Sequence, residues 1–225
     1  MDKPRAAVSW SGGKDSYLAL NRARQQFDVA ALITMFTEDG TRSRSHGLRP
    51  EVLQRQAEVM QMELLAGRGS WQTYEAELKK LLRRLRDRQF SHIVFGDIFL
   101  EDHKDWVERV CKEMDLIAVE PLWEQPTSEL LREFCDLGGK ARIVATKAAL
   151  LDESWLGRHL SADLLPEFER LGIDPCGEYG EYHTLVTSSP LFTAGLNVSN
   201  TGHHLQDGYW MLDVVPASEN TSRSR

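Results

Sequence analysis

The stretch Ser11-Gly12-Gly13-Lys14-Asp15-Ser16 carries the most specific chemistry in this chain. It follows an apolar run, Ala6-Ala7-Val8, that reads as a strand. It precedes Tyr17, Leu20, Ala23 and Phe27, whose spacing reads as one face of a helix. The six residues are therefore the turn from strand into helix. Two glycines let the backbone approach a ligand closely. The unpaired N–H groups of the first helical turn point at that ligand, and the helix dipole adds partial positive charge. Lys14 adds a full charge, and Ser11 and Ser16 add hydroxyls. An anion fits this turn, and polyphosphate is its natural form. The common nucleotide loop is excluded, because it needs an upstream glycine that is absent here, and no third glycine completes a dinucleotide fingerprint.

The second dense stretch is Cys176-Gly177-Glu178-Tyr179-Gly180-Glu181-Tyr182-His183-Thr184. Burying Glu178 and Glu181 without partners would be costly, so a core strand is excluded. Glycines at 177 and 180 suggest tight turns that aim both carboxylates one way. Carboxylates flanked by tyrosine faces suit a cationic or amine-bearing ligand. His183 could move protons near neutral pH. The other reading is an ordinary exposed hairpin loop. Cys176 reads as a buried neighbour, since two adjacent acids disfavour a reactive thiolate.

Gly96-Asp97 closes a third strand, His92 to Phe95, and glycine there again permits close approach to a ligand. Asp97, Glu101 and Asp102 could hold Mg²⁺, or could be helix-start acids complementing the dipole.

The elements that must position these groups alternate between strand and helix. Val29 to Phe36 is a buried-strand run, so the sheet should be largely parallel. Residues 37–49, with Arg42, Arg44, His46 and Arg49, read either as a mobile loop over the nucleotide or as a solvated loop. Pro50 starts a helix whose apolar face is Leu53, Ala57, Met60 and Leu64. Gly67 to Ser70 break the pattern. Tyr74, Leu78, Leu81, Leu82 and Leu85 are the inner face of a third helix, whose outer face is basic. That basic face reads as a solvated surface before it reads as an RNA contact. Trp106, Val107, Val110 and Met114 form the buried face of the next helix, with Trp106 as core. Leu116 to Val119 is a strand. Thr127 is a good N-cap for a helix with Leu131, Phe134 and Leu137 inward, ended by Gly138-Gly139. Ala141 to Ala145 is a further strand, and Leu164, Phe168 and Leu171 suggest a last helix closed by Gly172.

The chain of 225 residues carries a net charge of -7, which on average repels nucleic acid. No signal peptide or membrane span is read, so a cytoplasmic setting is expected. The Asn-x-Ser sites at Asn197 and Asn220 then have no role. Cys111, Cys135 and Cys176 form no Cys-x-x-Cys pair, so neither zinc nor an iron–sulfur cluster is signalled. The expected fold class is α/β: a parallel-sheet, Rossmann-like nucleotide domain over 1–97, a smaller α/β substrate domain over 98–215, and a disordered tail over 216–225.

The Ser11 to Ser16 turn resembles the PP-loop of the ATP pyrophosphatases, which cleave ATP between the α and β phosphates. The chain as a whole resembles the diphthine–ammonia ligase family, a branch of that group with a nucleotide α-hydrolase-like sheet. The shared motifs run through Gly96-Asp97-Ile98, Pro121-Leu122-Trp123, Leu156-Gly157-Arg158 and Cys176 to Thr184, and end near Pro190-Leu191-Phe192. They cover roughly residues 6 to 192. The resemblance implies ATP-dependent amidation of a carboxylate by ammonium, with AMP and pyrophosphate released and Mg²⁺ sharing the phosphate charge. It implies diphthine on translation elongation factor 2 as acceptor.

The nucleotide set is then Ser11, Gly12, Gly13, Lys14, Asp15, Ser16, Met35, His46, Gly96 and Asp97, with Met35 and Gly96 meeting adenine through backbone atoms. Asp15 and Asp97 would hold Mg²⁺. The catalytic set is Lys14, Asp15, Glu178, Glu181 and His183. The acceptor set is Glu178, Tyr179, Gly180, Glu181, Tyr182, His183 and Thr184. Tyr179 stands where diphthamide-making members usually carry glycine, and His183 where they carry glutamate. A different acid, in cobalamin-related salvage, is therefore an alternative acceptor. A tRNA-modifying PP-loop enzyme and a nucleotide-sensing protein without turnover are the rival readings. No glutaminase region is read, so free ammonium is the expected nitrogen donor. No membrane partner is expected, and nucleic acid is disfavoured.

Overall fold

The computed structural model describes residues 3–217. The sequence reading of residues 218–225 as a disordered tail falls outside the described residues; Pro216, which it counted with that tail, is the last residue of a strand.

Five parallel strands form the first sheet: β1 (Arg5–Ser9), β2 (Asp28–Phe36), β3 (Glu63–Arg68), β4 (His92–Val94) and β5 (Ile117–Val119), in the order β3-β2-β1-β4-β5. Helices α1 (Lys14–Ala23), α2 (Pro50–Val59), α3 (Tyr74–Asp87) and α4 (Glu101–Glu113) connect them. Strand β1 shows why both faces must be covered. Ala6 and Val8 enter one apolar cluster, whereas Ala7 enters a second with Ile33, Leu82 and Val110. The sheet takes its last strand from Ile117–Val119, downstream of the boundary that the sequence reading sets at residue 97.

The second sheet is antiparallel. It comprises β6 (Lys140–Lys147), β7 (Tyr182–Ser188), β8 (Val198–Gln206) and β9 (Tyr209–Pro216), in the order β7-β6-β9-β8. Helices α5 (Thr127–Asp136) and α6 (Leu165–Leu171) complete this half. Gly172 closes α6 with φ at 67°, a left-handed conformation that glycine adopts at no steric cost. Ile143, Leu185 and Val186 share one apolar cluster with Val8, Leu20 and Leu53. The two sheets are therefore joined by core, and β7 lies against the start of α1.

Four expectations are corrected. Leu64 does not extend the α2 face; it lies in β3, because the chain turns at Gln61, which has φ at 55°. Gly67 and Arg68 belong to that same strand. Pro126 is the N-cap of α5, and Thr127 inside the helix donates its hydroxyl to Asp174 Oδ2. Leu137 is 38% exposed, because α5 has already ended at Asp136.

Candidate active site

In an open parallel sheet, ligands bind beyond the carboxyl ends of the strands where the strand order reverses. That point lies between β1 and β4. A cleft of about 300 Å³ opens there, lined by Ser11, Lys14, Asp15 and Ser16 from the β1–α1 turn and by Gly96 and Asp97 from the end of β4. Glu178, Tyr182, His183 and Thr184 from the second half line its other side, together with His46.

The turn itself is tightly braced. Gly12 has φ at 86°, and a Cβ there would fall 2.6 Å from Leu53 and 2.8 Å from Gln56. A Cβ on Gly13 would fall 2.4 Å from the His46 ring. The Lys14 N–H donates to Thr184 Oγ1 at 3.1 Å, and the Val186 N–H donates to Gly12 O at 2.9 Å. Among the described residues no acceptor meets the Asp15 or Ser16 N–H, so both remain available to an anion at the helix start.

Gln56, which sequence reasoning passed over, holds this arrangement together. It is fully buried. Its Oε1 accepts from the Trp10 indole at 3.0 Å, and its Nε2 donates to Gly12 O at 3.0 Å and to Val186 O at 2.7 Å. One amide thus joins α2, the turn and β7. A glutamine on an otherwise apolar helix face was the available signal.

Lys14 is buried, with only 3% exposure. Its Nζ donates to Asp15 Oδ2 at 2.9 Å and to the carbonyl oxygen of Cys176, and lies 5.2 Å from the Tyr182 ring centroid. Burial is the largest influence and works against its charge, but the Asp15 carboxylate, through charge and hydrogen bond, together with Tyr182 and Cys176 outweighs it and holds the Lys14 pKa above the ordinary lysine range. The same burial pushes the Asp15 carboxyl up, and Lys14 pulls it back. The tyrosine–cation contact anticipated for a ligand is therefore made by the protein's own lysine.

The two carboxylates of the 176–184 loop do not point one way. Glu181 is 6% exposed and accepts N–H groups from Asp174 and Tyr179, which ties the loop to itself. Glu178 accepts from the Ile98 and Phe99 N–H groups, both on Oε1, at 2.9 and 3.0 Å. Its Oε2 has no hydrogen bond among the described residues. Burial pushes the Glu178 carboxyl up, and those two N–H groups draw it back. Tyr182, His183 and Thr184 are the first residues of β7. Tyr179 is exposed. Gly180 has φ at 80° in the turn before the strand.

His46 and His183 stack with centroids 4.7 Å apart. His46 Nδ1 donates to Thr184 O at 2.9 Å. Burial lowers the His46 pKa well below the ordinary range, and burial pushes His183 down to about 4. Both rings are therefore neutral at pH 7.

Asp97 accepts from His103 Nδ1 at 2.8 Å, and that bond raises the His103 pKa. Glu101 and Asp102 lie in the first turn of α4. Among the described residues no group of three or more His, Cys, Asp or Glu side chains could hold a metal ion. Asp15 and Asp97 nevertheless both line the cleft, and Mg²⁺ needs only one or two carboxylates beside phosphate oxygens. Met35 does not line this cleft. It borders a small adjoining hollow with Thr34 and Phe95, and its carbonyl accepts the Arg44 N–H. Gly96 packs on the start of α1, where a Cβ would fall 3.0 Å from the Ser16 nitrogen. The cysteines are unbridged, and burial pushes the Cys176 thiol up, which disfavours the reactive thiolate form. No helix among the described residues is long and apolar enough to cross a membrane.

Comparison with known proteins adds a family to this geometry. The chain resembles the diphthine–ammonia ligase of Schizosaccharomyces pombe, with 28% identity over 205 residues, covering 81% of this chain and 34% of that protein. The Saccharomyces cerevisiae diphthine–ammonia ligase is 30% identical over 165 residues, covering 64% of this chain and 22% of that protein. The Mus musculus diphthine–ammonia ligase is 31% identical over 130 residues, covering 56% and 49%. The chain thus spans about half or less of the length of the curated relatives it matches. A solved structure, a predicted subunit of tRNA methyltransferase from Methanocaldococcus jannaschii, aligns over 83% of this chain and 97% of its own, with 14% identity and a TM-score of 0.43. The diphthamide synthase N-terminal domain matches residues 4–118, the diphthamide synthase C-terminal domain matches residues 126–216, and the chain therefore belongs to the diphthamide synthase family.

Proposed function

We propose that this protein is an ATP-dependent amide ligase of the diphthine–ammonia ligase type, acting on a protein-borne carboxylate. The observation that carries the reading is the cleft itself, where a buried ammonium and two unpaired helix-start N–H groups face a loop from the other half of the chain. The relatives' names supply the reaction class.

The acceptor carboxylate attacks the α-phosphorus of ATP, and the bond to the pyrophosphate oxygen breaks. Ammonia then attacks the acyl carbon, AMP departs, and an amide remains. Negative charge grows on the departing pyrophosphate in the first step. Lys14 and the Asp15 and Ser16 N–H groups are fixed before ATP arrives, so they stabilise that charge without reorganising. Asp15 and Asp97 are the carboxylates suited to hold Mg²⁺, which would share the phosphate charge. Glu178 Oε2 is suited to pair with ammonium. Positioning of three reactants in one cleft supplies much of the remaining barrier reduction. Diphthine on elongation factor 2 is the acceptor this reading assigns.

The test is incubation with ATP, Mg²⁺, ammonium and elongation factor 2 carrying diphthine. The expected result is one AMP and one pyrophosphate per amide, and none without acceptor. Release of ADP and phosphate would contradict the assignment of the Ser11 to Ser16 turn.

A further inference from the structure

Beside the cleft lies a larger hollow of about 770 Å³. One wall is the 37–47 loop after β2, and the opposite wall is the β8–β9 hairpin. The two spaces meet at Ser45 and His183, which line both.

Neither wall is loosely held. Arg42 and Arg49 both donate to the Asp213 carboxylate on β9, at 2.6 to 2.9 Å. Gly47 has φ at 64°, and a Cβ there would fall 2.2 Å from Met211 Cε. The loop and the hairpin are thus packed against each other below the hollow, which is a preformed site.

The lining chemistry narrows the occupant. Trp71 is 70% exposed, and the Arg44 guanidinium lies 4.8 Å from its ring centroid. Tyr209 stacks on His183 with centroids 6.1 Å apart. Thr41 and Gln206 add neutral polar groups. Formal charges on the lining cancel, with Arg42 and Arg44 against Asp39 and Asp207. The partition at His183 is neutral at pH 7. Such walls do not draw in a free anion, for which a net positive funnel would be needed. They suit a long side chain threaded end-on, with its stem on aromatic faces. The positive charge that would meet a carboxylate lies beyond His183, at Lys14.

We propose that this hollow is the acceptor groove: it takes the side chain of a protein-borne carboxylate between Trp71 and Tyr209 and delivers the carboxylate past His183 into the ATP cleft. The assignment rests on the ligase reading above. It commits to a carboxylate carried on a protein and excludes a freely diffusing acid.

Two variants test it, Trp71→Ala at the mouth and Gln206→Trp, which fills the groove from its exposed rim. Kinetics are measured with diphthine-bearing elongation factor 2 and with the free diphthine amino acid, and ATP binding is measured by calorimetry without acceptor. Both variants are expected to raise the KM for the protein acceptor by about tenfold or more, with ATP affinity unchanged. The free amino acid is expected to be a much poorer substrate than the protein form. An active wild type whose KM for the protein acceptor is unmoved in both variants would overturn the groove and leave the ligase reading standing. Equal kcat/KM for free and protein-borne acceptor would overturn the protein carrier. A wild type that forms no AMP with either acceptor would overturn the ligase reading, and the groove assignment with it.

Discussion

In the Ser11 to Ser16 turn, backbone N–H donors and one lysine face the cleft beside the Asp15 carboxylate and two serines, and neighbouring elements hold the backbone in place. In the 176–184 loop, most polar capacity is turned inward. Glu181 closes the loop on itself, the Cys176 carbonyl receives Lys14, and the Tyr182 hydroxyl donates to Pro175 O. Only one oxygen of Glu178 and the neutral face of His183 are left for a reactant. Both loops are glycine-bearing and polar, yet one presents its donors and the other uses its acceptors as struts. A helix start is bound to expose N–H groups, because geometry leaves them unpaired. A carboxylate has no such obligation, and goes wherever an N–H needs a partner.

The largest effect expected from this contrast comes from Lys14→Met. It removes the only full positive charge in the turn, so kcat should fall on the order of 10² to 10³. Circular dichroism and the melting transition should show the fold retained. Turnover within a few-fold of wild type would take Lys14 out of the mechanism.

Gln56→Leu probes the brace behind the same turn. It leaves the Trp10 N–H and the Gly12 and Val186 carbonyls without their partner amide. Unsatisfied buried groups cost about 1–3 kcal/mol each, so a loss of about 3 kcal/mol in denaturant unfolding is expected. The KM for ATP should rise as well, because Gly12 loses its fixed position. A stable variant with unchanged KM would show that the turn holds its shape alone.

How much of this was readable beforehand follows the same division. The β1–α1 turn, β2 and the α3 face are local patterns, and the chain folds as they indicate. β3 was missed because Leu64 continues the helical spacing of α2 until a left-handed residue, Gln61, ends it. The β8–β9 hairpin was missed because its first strand, with Asn200, His203 and His204, is almost wholly exposed and carries no alternation. Arg42 and Arg49 looked like a solvated or nucleotide-facing pair, and instead bind Asp213, more than 160 residues away in sequence. The His46–His183 stack is equally non-local. Residue types announced the chemistry; only the fold decided which group each one meets.

Glu181→Ala and Glu178→Ala separate strut from ligand. Glu181 is buried and lies off the cleft, so its loss should cost about 2 kcal/mol of stability through two orphaned N–H groups. Glu178 lines the cleft with one oxygen free, so Glu178→Ala should raise the KM for ammonium more than it lowers the melting temperature. The reverse pattern would collapse the distinction between the two carboxylates.

The effect expected to be smallest near neutral pH is on acid stability. His183 has its folded pKa pushed down to about 4 from an ordinary value of 6.5, chiefly by burial and then by the Lys14 charge. Between those values the unfolded chain binds a proton that the native ring refuses, so unfolding gains and stability falls as pH drops. Above about pH 6.5 both states are neutral and the term vanishes. His46, lowered by burial and by His183 itself, acts in the same direction. Guanidinium unfolding at pH 7.5, 6 and 5 should therefore give a stability that declines with acidification in wild type. The decline should be shallower by up to about 2 kcal/mol at pH 5 in His183→Gln, which keeps a neutral polar side chain at the partition between cleft and groove. Parallel curves for the two proteins would mean that His183 titrates normally, and that the wall between the two spaces gains charge below about pH 6.5.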